Sequence, residues 1–227
     1  MRDCKGCTPI ATPTMPVRKL FWDDPCRTTL DTVVASVAGP VVELEATIFF
    51  AFSGGQESDR GTIGGHEVLV AEKAGMAIRY TLPESHGLIP GQPVTVAIDW
   101  PRRHRLMRLH FAAELVLELM YRRVPGIDKI GAHIGQGRAR IDFAHAGSVA
   151  PLLPELAADA NAIVAADRRI ETGYEDEPGE RRYWMIEGFS RVPCGGTHVR
   201  STGEVGTIAL KRKNVGSGKE RIEIVVA

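Results

Sequence analysis

Four side chains in this sequence have the types and spacing to hold a metal ion: His110, Glu114, Cys194 and His198. His110 and Glu114 stand four residues apart within RRHRLMRLHFAAELVLELMYRR. If that stretch is helical, both project from one face, about one turn apart. Cys194 and His198 form a second pair in VPCGGTH, separated by Gly195, Gly196 and Thr197. Two glycines let the chain turn tightly enough for a thiolate and an imidazole to converge. Imidazole, thiolate and carboxylate are all competent zinc ligands, and three protein ligands with an open position are the pattern of catalytic zinc. Taken singly each pair is a weak signal, since HxxxE on a helix is common without a metal and CGGTH alone more often lacks one than has one. Their combination matters only if the fold brings them together.

The elements that must do so can be read from patterning. The 227 residues suffice for one large domain or two small ones. From residue 17 to about 100 the sequence is β-rich. TTLDTVVASV, VVELEATIFF, HEVLVAEK, MAIRYTL and VTVAIDW are short strand candidates around a glycine-rich SGGQESDRGTIGG. That spacing predicts a small barrel or sandwich. After Trp100 the pattern changes. Leu106, Leu109, Ala113, Leu117 and Met120 step by three or four, which predicts a helix. A strand pair follows through KIGAHIG and ARIDF, and Ser148 can cap a helix running through LLPELAADANAIVAADRRI. The acidic ETGYEDEPGERR reads as an exposed loop, and TGEVGTIALKRKN with KERIEIVVA as two closing strands joined by a Gly-Ser-Gly turn. The fold class expected is therefore α+β: a tail over 1–16, a barrel-like domain over 17–100, and an α+β domain over 101–227.

Composition limits the partners. Lys plus Arg and Asp plus Glu number 28 each, so nucleic-acid binding must come from local patches rather than from the field of the whole molecule. Lys211, Arg212, Lys213, Lys219 and Arg221 form such a patch, suited to tRNA phosphates, although lysine on a solvated edge strand reads equally well. RRHR at 102–105 is a second basic stretch of the same ambiguity. Gln56 ends the SGGQ run, where an amide can donate and accept hydrogen bonds beside a ligand, and Asp59 and Arg60 can pair to pin that turn. His133 reads as a strand histidine or an extra ligand. Tyr183 and Trp184 can stack on a base, or pack in the core. The four cysteines, Cys4, Cys7, Cys26 and Cys194, are too few for a disulfide scaffold and suit a reducing cytoplasm. Cys4 and Cys7 lack the second pair a zinc knuckle requires. No apolar run has the length of a membrane span, and no secretory signal opens the chain.

KLFWDDP, SGGQESDRGTI, RRHRLMRLHFAAEL, ARIDF, VPCGGTH and LKRKNVGSGKERIEI together resemble, in order, the AlaX family of trans-editing proteins. The resemblance runs from about Lys19 to the end of the chain. It implies an N-terminal barrel-like domain followed by an editing domain similar to those of alanyl- and threonyl-tRNA synthetases. It also implies a hydrolase that removes serine, or glycine, from mischarged tRNA(Ala), with one Zn2+ ion, Gln56 near the scissile ester or terminal ribose, and no membrane partner. A monomer is compatible with it. Discrimination of serine from alanine would need a hydroxyl on an early strand, for which Thr32 and Ser36 are the nearest candidates. The chain departs from the family at one ligand. The family motif is HxxxH on the helix, and here Glu114 replaces the second histidine. Three readings follow: a carboxylate ligand, a general base on water at the metal with three ligands left, or a degenerate site. Beside the editing function stand two rivals, a zinc hydrolase of another small ester and a non-catalytic tRNA-binding relative.

Overall fold

The computed structural model describes residues 16–216 and 218–227, so the tail with Cys4 and Cys7, and Ser217 of the closing turn, lie outside the described residues. The alternating run Thr29–Ala38 buries Leu30, Thr32 and Val34 on one side. It lies at the centre of a seven-stranded sheet whose order is His66–Glu67, Gly61–Ile63, Pro93–Ile98, Thr29–Ala38, Val41–Leu44, Ala77–Thr81, Val70–Ala74. The sheet curls into a half-barrel around Phe49, Phe50, Val42, Tyr80 and Val96. HEVLVAEK is therefore not one strand. Val68 N bonds to Gly61 O and Leu69 N to Thr81 O, so the chain changes partner between these residues and its halves take opposite edges of the sheet.

Helix α1 spans Trp100–Arg123. Asp99 caps it, its carboxylate accepting from Arg102 N at 3.1 Å, and Pro101 occupies the first turn, where its missing N–H costs nothing. Arg122 and Arg123 in the last turn complement the negative end of the helix dipole. Both ends of the helix are thus specified locally, while its middle is buried almost all round. It packs with helix α2, Leu153–Ala165, against a four-stranded antiparallel sheet ordered Asp128–Ile134, Ala139–Ala144, Lys219–Val226, Ile208–Asn214.

Three expectations change here. Helix α2 stops at Ala165 rather than running to Ile170, because Asp167 takes a left-handed conformation at φ 44. Ser148 caps no helix; its Oγ accepts from Ala150 N at 3.2 Å, and the short 3-10 turn Ala150–Leu152 starts from Val149. The acidic ETGYEDEPGERR is not a loop. It forms the hairpin of Glu171–Asp176 and Arg181–Ile186, which Ser190–Pro193 extends to three strands. Its charged outer face hid the strand signal, and pairing with buried Trp184 supplied the order.

Buried apolar side chains fall into two clusters, one drawn from Val17 to Ile98 and the other from Leu106 to Val226. Polar contacts join the two regions. Arg103 is held by Asp59, and Lys19 by Glu180 at the hairpin tip. Among the described residues no helix is long and apolar enough to cross a membrane.

Candidate metal centre

Helix α1 carries His110 toward Cys194 and His198, which lie just beyond the strand Ser190–Pro193. One donor atom from each of the three lies within 4.8 Å of the others. Cys194 Sγ is 3.5 Å from His110 Nε2, and Glu114 Oε1 is 3.4 Å from the same nitrogen. Donors at about 2.0–2.3 Å from a tetrahedral zinc are separated by roughly 3.4–3.6 Å, so both contacts have the spacing of two ligands of one ion. His198 Nε2 is buried with no hydrogen-bond partner, a state that normally carries a cost of about 1–3 kcal/mol. The His198 ring lies 5.1 Å from that of His110 and meets Phe111 edge-on. An orphaned imidazole nitrogen facing an imidazole and a thiolate fits a zinc-type ion through two N donors and one S donor.

Glu114 is not one of the three mutually close donors. Its other oxygen, Oε2, accepts from Trp184 Nε1 at 3.1 Å. Burial works against its charge, but hydrogen bonds from His110 and Trp184 and the nearby imidazoles outweigh burial and hold the carboxyl below its usual range. The same balance governs the pair beside it. Burial disfavours the His110 imidazolium, yet Cys194 and Glu114 raise its pKa to about 10. Burial disfavours the Cys194 thiolate, yet His110 and His198 lower its pKa to about 6. The neighbouring imidazoles thus favour the Cys194 thiolate, the form of cysteine that binds metal.

Gln56 belongs to this site in a manner the sequence did not suggest. Gly54 and Gly55 both have positive φ, and a Cβ at Gly55 would stand 2.6 Å from Ala132 O. The glycine-rich segment thus seats against the strand Asp128–Ile134, with Gln56 bridging Ile134. The Gln56 side chain is buried, its Oε1 lying 2.6 Å from His110 Nδ1 and its Nε2 donating to Thr197 Oγ1 at 3.0 Å. In neutral His110 this places the proton on Nδ1 and leaves Nε2 to face Cys194 and Glu114. Each amide atom thus makes one hydrogen bond within the protein.

Neither glycine of CGGTH has positive φ, and Gly196 is required for space rather than for backbone angle. A Cβ on Gly196 would lie 1.9 Å from His110 Cε1 and 2.5 Å from His110 Nδ1. The ring cannot yield, because Gln56 and Cys194 hold it on both sides. Gly196→Ala is expected to destabilise the fold by about 1–3 kcal/mol and to weaken metal binding at least ~10-fold, measured by chemical denaturation and by metal titration.

The remaining expected residues divide. His133 is half-exposed and 3.5 Å from Glu57, apart from the cluster. Asp59 pairs with Arg103 rather than with Arg60. Arg102 and Arg103 are buried, bound to Glu57, Ser58 and Asp59, so RRHR is mostly an internal brace. Thr32 Oγ1 accepts from Ala46 N, and Ser36 donates to Glu43. Trp184 is core. In the basic patch Lys211, Lys213 and Lys219 are exposed, while Arg212 chelates Glu220 and Arg221 chelates Asp142. Sequence reading missed Trp22, whose indole N–H donates to Gly195 O at 2.8 Å, and the role of Trp184 in holding Glu114. Neither is marked by any spacing along the chain.

A half-barrel carrying a glycine-rich loop over a helix-borne His and a CxxxH loop defines a protein of the synthetase editing-domain class. Residues 182–223, which include Cys194 and His198, match the family described as threonyl and alanyl tRNA synthetase second additional domain. The chain is 32% identical over 212 residues to the alanyl-tRNA editing protein AlaX-M of Pyrococcus horikoshii, an alignment covering 91% of this chain and 96% of that one. It is 31% identical to the alanine–tRNA ligase of Ignicoccus hospitalis and 35% identical to that of Cenarchaeum symbiosum, spanning 26% and 24% of those longer enzymes. The chain belongs to the AlaX family of alanyl-tRNA editing proteins.

Proposed function

We propose that this protein deacylates mischarged tRNA(Ala), hydrolysing the ester that joins serine, or secondarily glycine, to the terminal adenosine. The observation that carries the metal part of this reading is the orphaned His198 Nε2, buried beside the donor atoms of His110 and Cys194. His110, Cys194 and His198 would hold a Zn2+ ion, with the Glu114 carboxylate at donor spacing from His110. When bound, such an ion supplies Lewis-acid polarisation of the ester carbonyl and activation of water. The chain's own residues do the rest. Gln56 orients His110 through Nδ1, Thr197 orients Gln56, and Trp184 keeps the Glu114 carboxylate beside the site, where it can take a proton from attacking water.

The tRNA body would meet the outer face of the closing strands. Lys213, Arg221, Arg138 and Arg140 line a groove there, and Lys211 points to the same side of the sheet as Lys213. Arg212, Arg221 and Arg140 are already paired with carboxylates and Arg138 lies 3.7 Å from Glu223, so the exposed lysines would contribute most of the phosphate attraction.

The test is a panel of seryl-, glycyl- and alanyl-tRNA(Ala) together with small aminoacyl esters, each assayed before and after chelation. The expected result is rapid release of serine from seryl-tRNA(Ala), slower release of glycine, and sparing of alanyl-tRNA(Ala). Chelation should lower the rate by at least ~100-fold, with recovery on adding zinc. Hydrolysis of small esters alone would instead favour a general zinc esterase. Metal-loaded protein that binds tRNA(Ala) but hydrolyses nothing would favour a non-catalytic relative.

A further inference from the structure

Between its two candidate ligands the loop Cys194–His198 contains Gly195 and Gly196, residues of the greatest backbone freedom. Gly196 is dictated by the His110 ring, but neither space nor angle dictates Gly195. Its φ is not positive, and a Cβ there would meet only Trp22 Cζ2, at an ordinary contact distance of 3.9 Å. So free a link leaves the separation of thiolate and imidazole to be set from outside the loop. Among the described residues one hydrogen bond reaches the main chain of residues 195–198, and its donor is the Trp22 indole, 2.8 Å from Gly195 O. Trp22 belongs to the β-rich region and is itself held. Phe21 before it is buried and meets Phe50 edge-on, and Trp22 N donates to Lys19 O at 3.2 Å. The Lys19 ammonium and the Arg182 guanidinium each lie 5.3 Å from the centre of the indole, and Tyr174 meets it edge-on at 6.1 Å. Both cations are fixed in turn, Lys19 by Glu180 and Arg182 by stacking 4.2 Å from the Tyr174 ring. Hydrogen bonds then close a circuit. The Arg182 side chain donates to Trp22 O at 3.3 Å, Cys194 N donates to Arg182 O at 2.8 Å, and Trp22 Nε1 returns to Gly195 O.

We propose that Trp22 is a positioning residue of the metal centre, its indole N–H fixing the Gly195 carbonyl and with it the separation of Cys194 and His198. The inference rests on the metal part of the reading above and deepens it, because it makes the β-rich region a working part of the site. That region then holds the ligand loop at two points, at Gly195 through Trp22 and at Thr197 through Gln56. With two cations against its ring, Trp22 has little freedom to turn, so its N–H stays aimed at the loop. Partners that orient metal ligands from outside are each worth about 10–100-fold in metal affinity. Trp22 acts through the loop rather than on a ligand atom, which places it near the lower figure.

Cobalt(II) titrated into metal-free protein, with no tRNA present, is the probe, since its visible spectrum reports both affinity and ligand geometry. Wild-type protein is expected to bind one equivalent with a thiolate charge-transfer band. Trp22→Phe keeps an aromatic ring against Lys19 and Arg182 but loses the N–H donor. It should bind cobalt about 10-fold more weakly, with shifted visible bands. Val34→Ala loosens the first core away from the loop, and should leave the spectrum unchanged and the affinity within about twofold of wild type. If Trp22→Phe fails to fold, benzothienylalanine at position 22 replaces it, keeping the bicyclic shape with sulfur in place of the N–H. The proposal is overturned if the folded position-22 variant binds cobalt within about twofold of wild type with an unchanged spectrum, or if Val34→Ala weakens cobalt as much. Wild-type protein that binds no stoichiometric cobalt would overturn the metal reading and this inference together. Cobalt bound tightly whatever stands at position 22 would overturn this inference alone. Wild-type protein whose cobalt binding depends on Trp22 but which deacylates no tRNA would be a failure of the deacylase reading alone.

Discussion

Cys194→Ala is expected to abolish stoichiometric metal binding and to lower kcat/KM for mischarged tRNA by more than ~100-fold. Losing a partner that only orients a ligand already costs about 10–100-fold in metal affinity or activity, and loss of a ligand must exceed that. Cys194 also supplies the one sulfur of the group. Its thiolate forms at neutral pH because His110 and His198 overcome its burial and bring its pKa to about 6. Without it two imidazoles remain beside Glu114, whose carboxylate lies outside the three mutually close donors, so the frame of the site is lost. Metal content by mass spectrometry and single-turnover deacylation check this together. Full activity with Cys194→Ala would remove the site from the mechanism.

Glu114→Gln is the informative contrast. Glutamine keeps an oxygen for the Trp184 indole and most of the shape, so the variant isolates the charge. Metal affinity is expected to fall by about 10–100-fold with the fold intact. Complete loss of metal would mark a carboxylate ligand. Retained affinity with kcat lost would mark a general base. An unchanged enzyme would make Glu114 dispensable.

Much of this site was legible in the sequence because its signals are local. The i, i+4 spacing placed His110 and Glu114 on one face, and apolar residues stepping by three or four marked the helix that carries them. CGGTH announced a tight approach, though its reason lies in the His110 ring pressed against Gly196 rather than in a special backbone angle. The convergence of the two pairs was not legible, since 84 residues separate His110 from Cys194 and only the resemblance to a family joined them. The contacts of Gln56, Trp22 and Trp184 were hidden for the same reason. Each reaches a partner far along the chain, and no periodicity records such a meeting. The hairpin over Glu171–Ile186 failed differently: its exposed charges mimic a loop until the buried face of Arg182, Trp184 and Ile186 is seen.

The largest effect on stability is expected at Asp59, far from any chemistry. Asp59 and Arg103 side chains are both fully buried and paired. Asp59 Oδ1 accepts from Arg103 Nε at 2.8 Å, and Oδ2 accepts from Phe50 N at 2.6 Å. Arg103 also donates to Pro25 O at 3.0 Å and to Ile48 O at 2.6 Å. This one guanidinium ties the first turn of helix α1 to three separate segments of the β-rich region. Asp59→Ala leaves a buried cation without its counter-charge and a backbone N–H without an acceptor. The expected loss is about 3–5 kcal/mol, measured by urea unfolding of metal-free protein so that ligand binding does not mask it. Arg103→Met combined with Asp59→Ala should recover part of that loss, because the stranded charge is then gone. A loss below about 1 kcal/mol for Asp59→Ala would show that solvent reaches Arg103 and that the brace is not closed. The effect should extend to the metal. Gln56 lies three residues before Asp59, and its amide holds His110 in the tautomer that the site requires. Loosening the end of the glycine-rich segment therefore weakens metal binding through Gln56, even in molecules that remain folded. The buried pair couples the stability of the α1 junction to the geometry of the cluster about two turns further along the same helix.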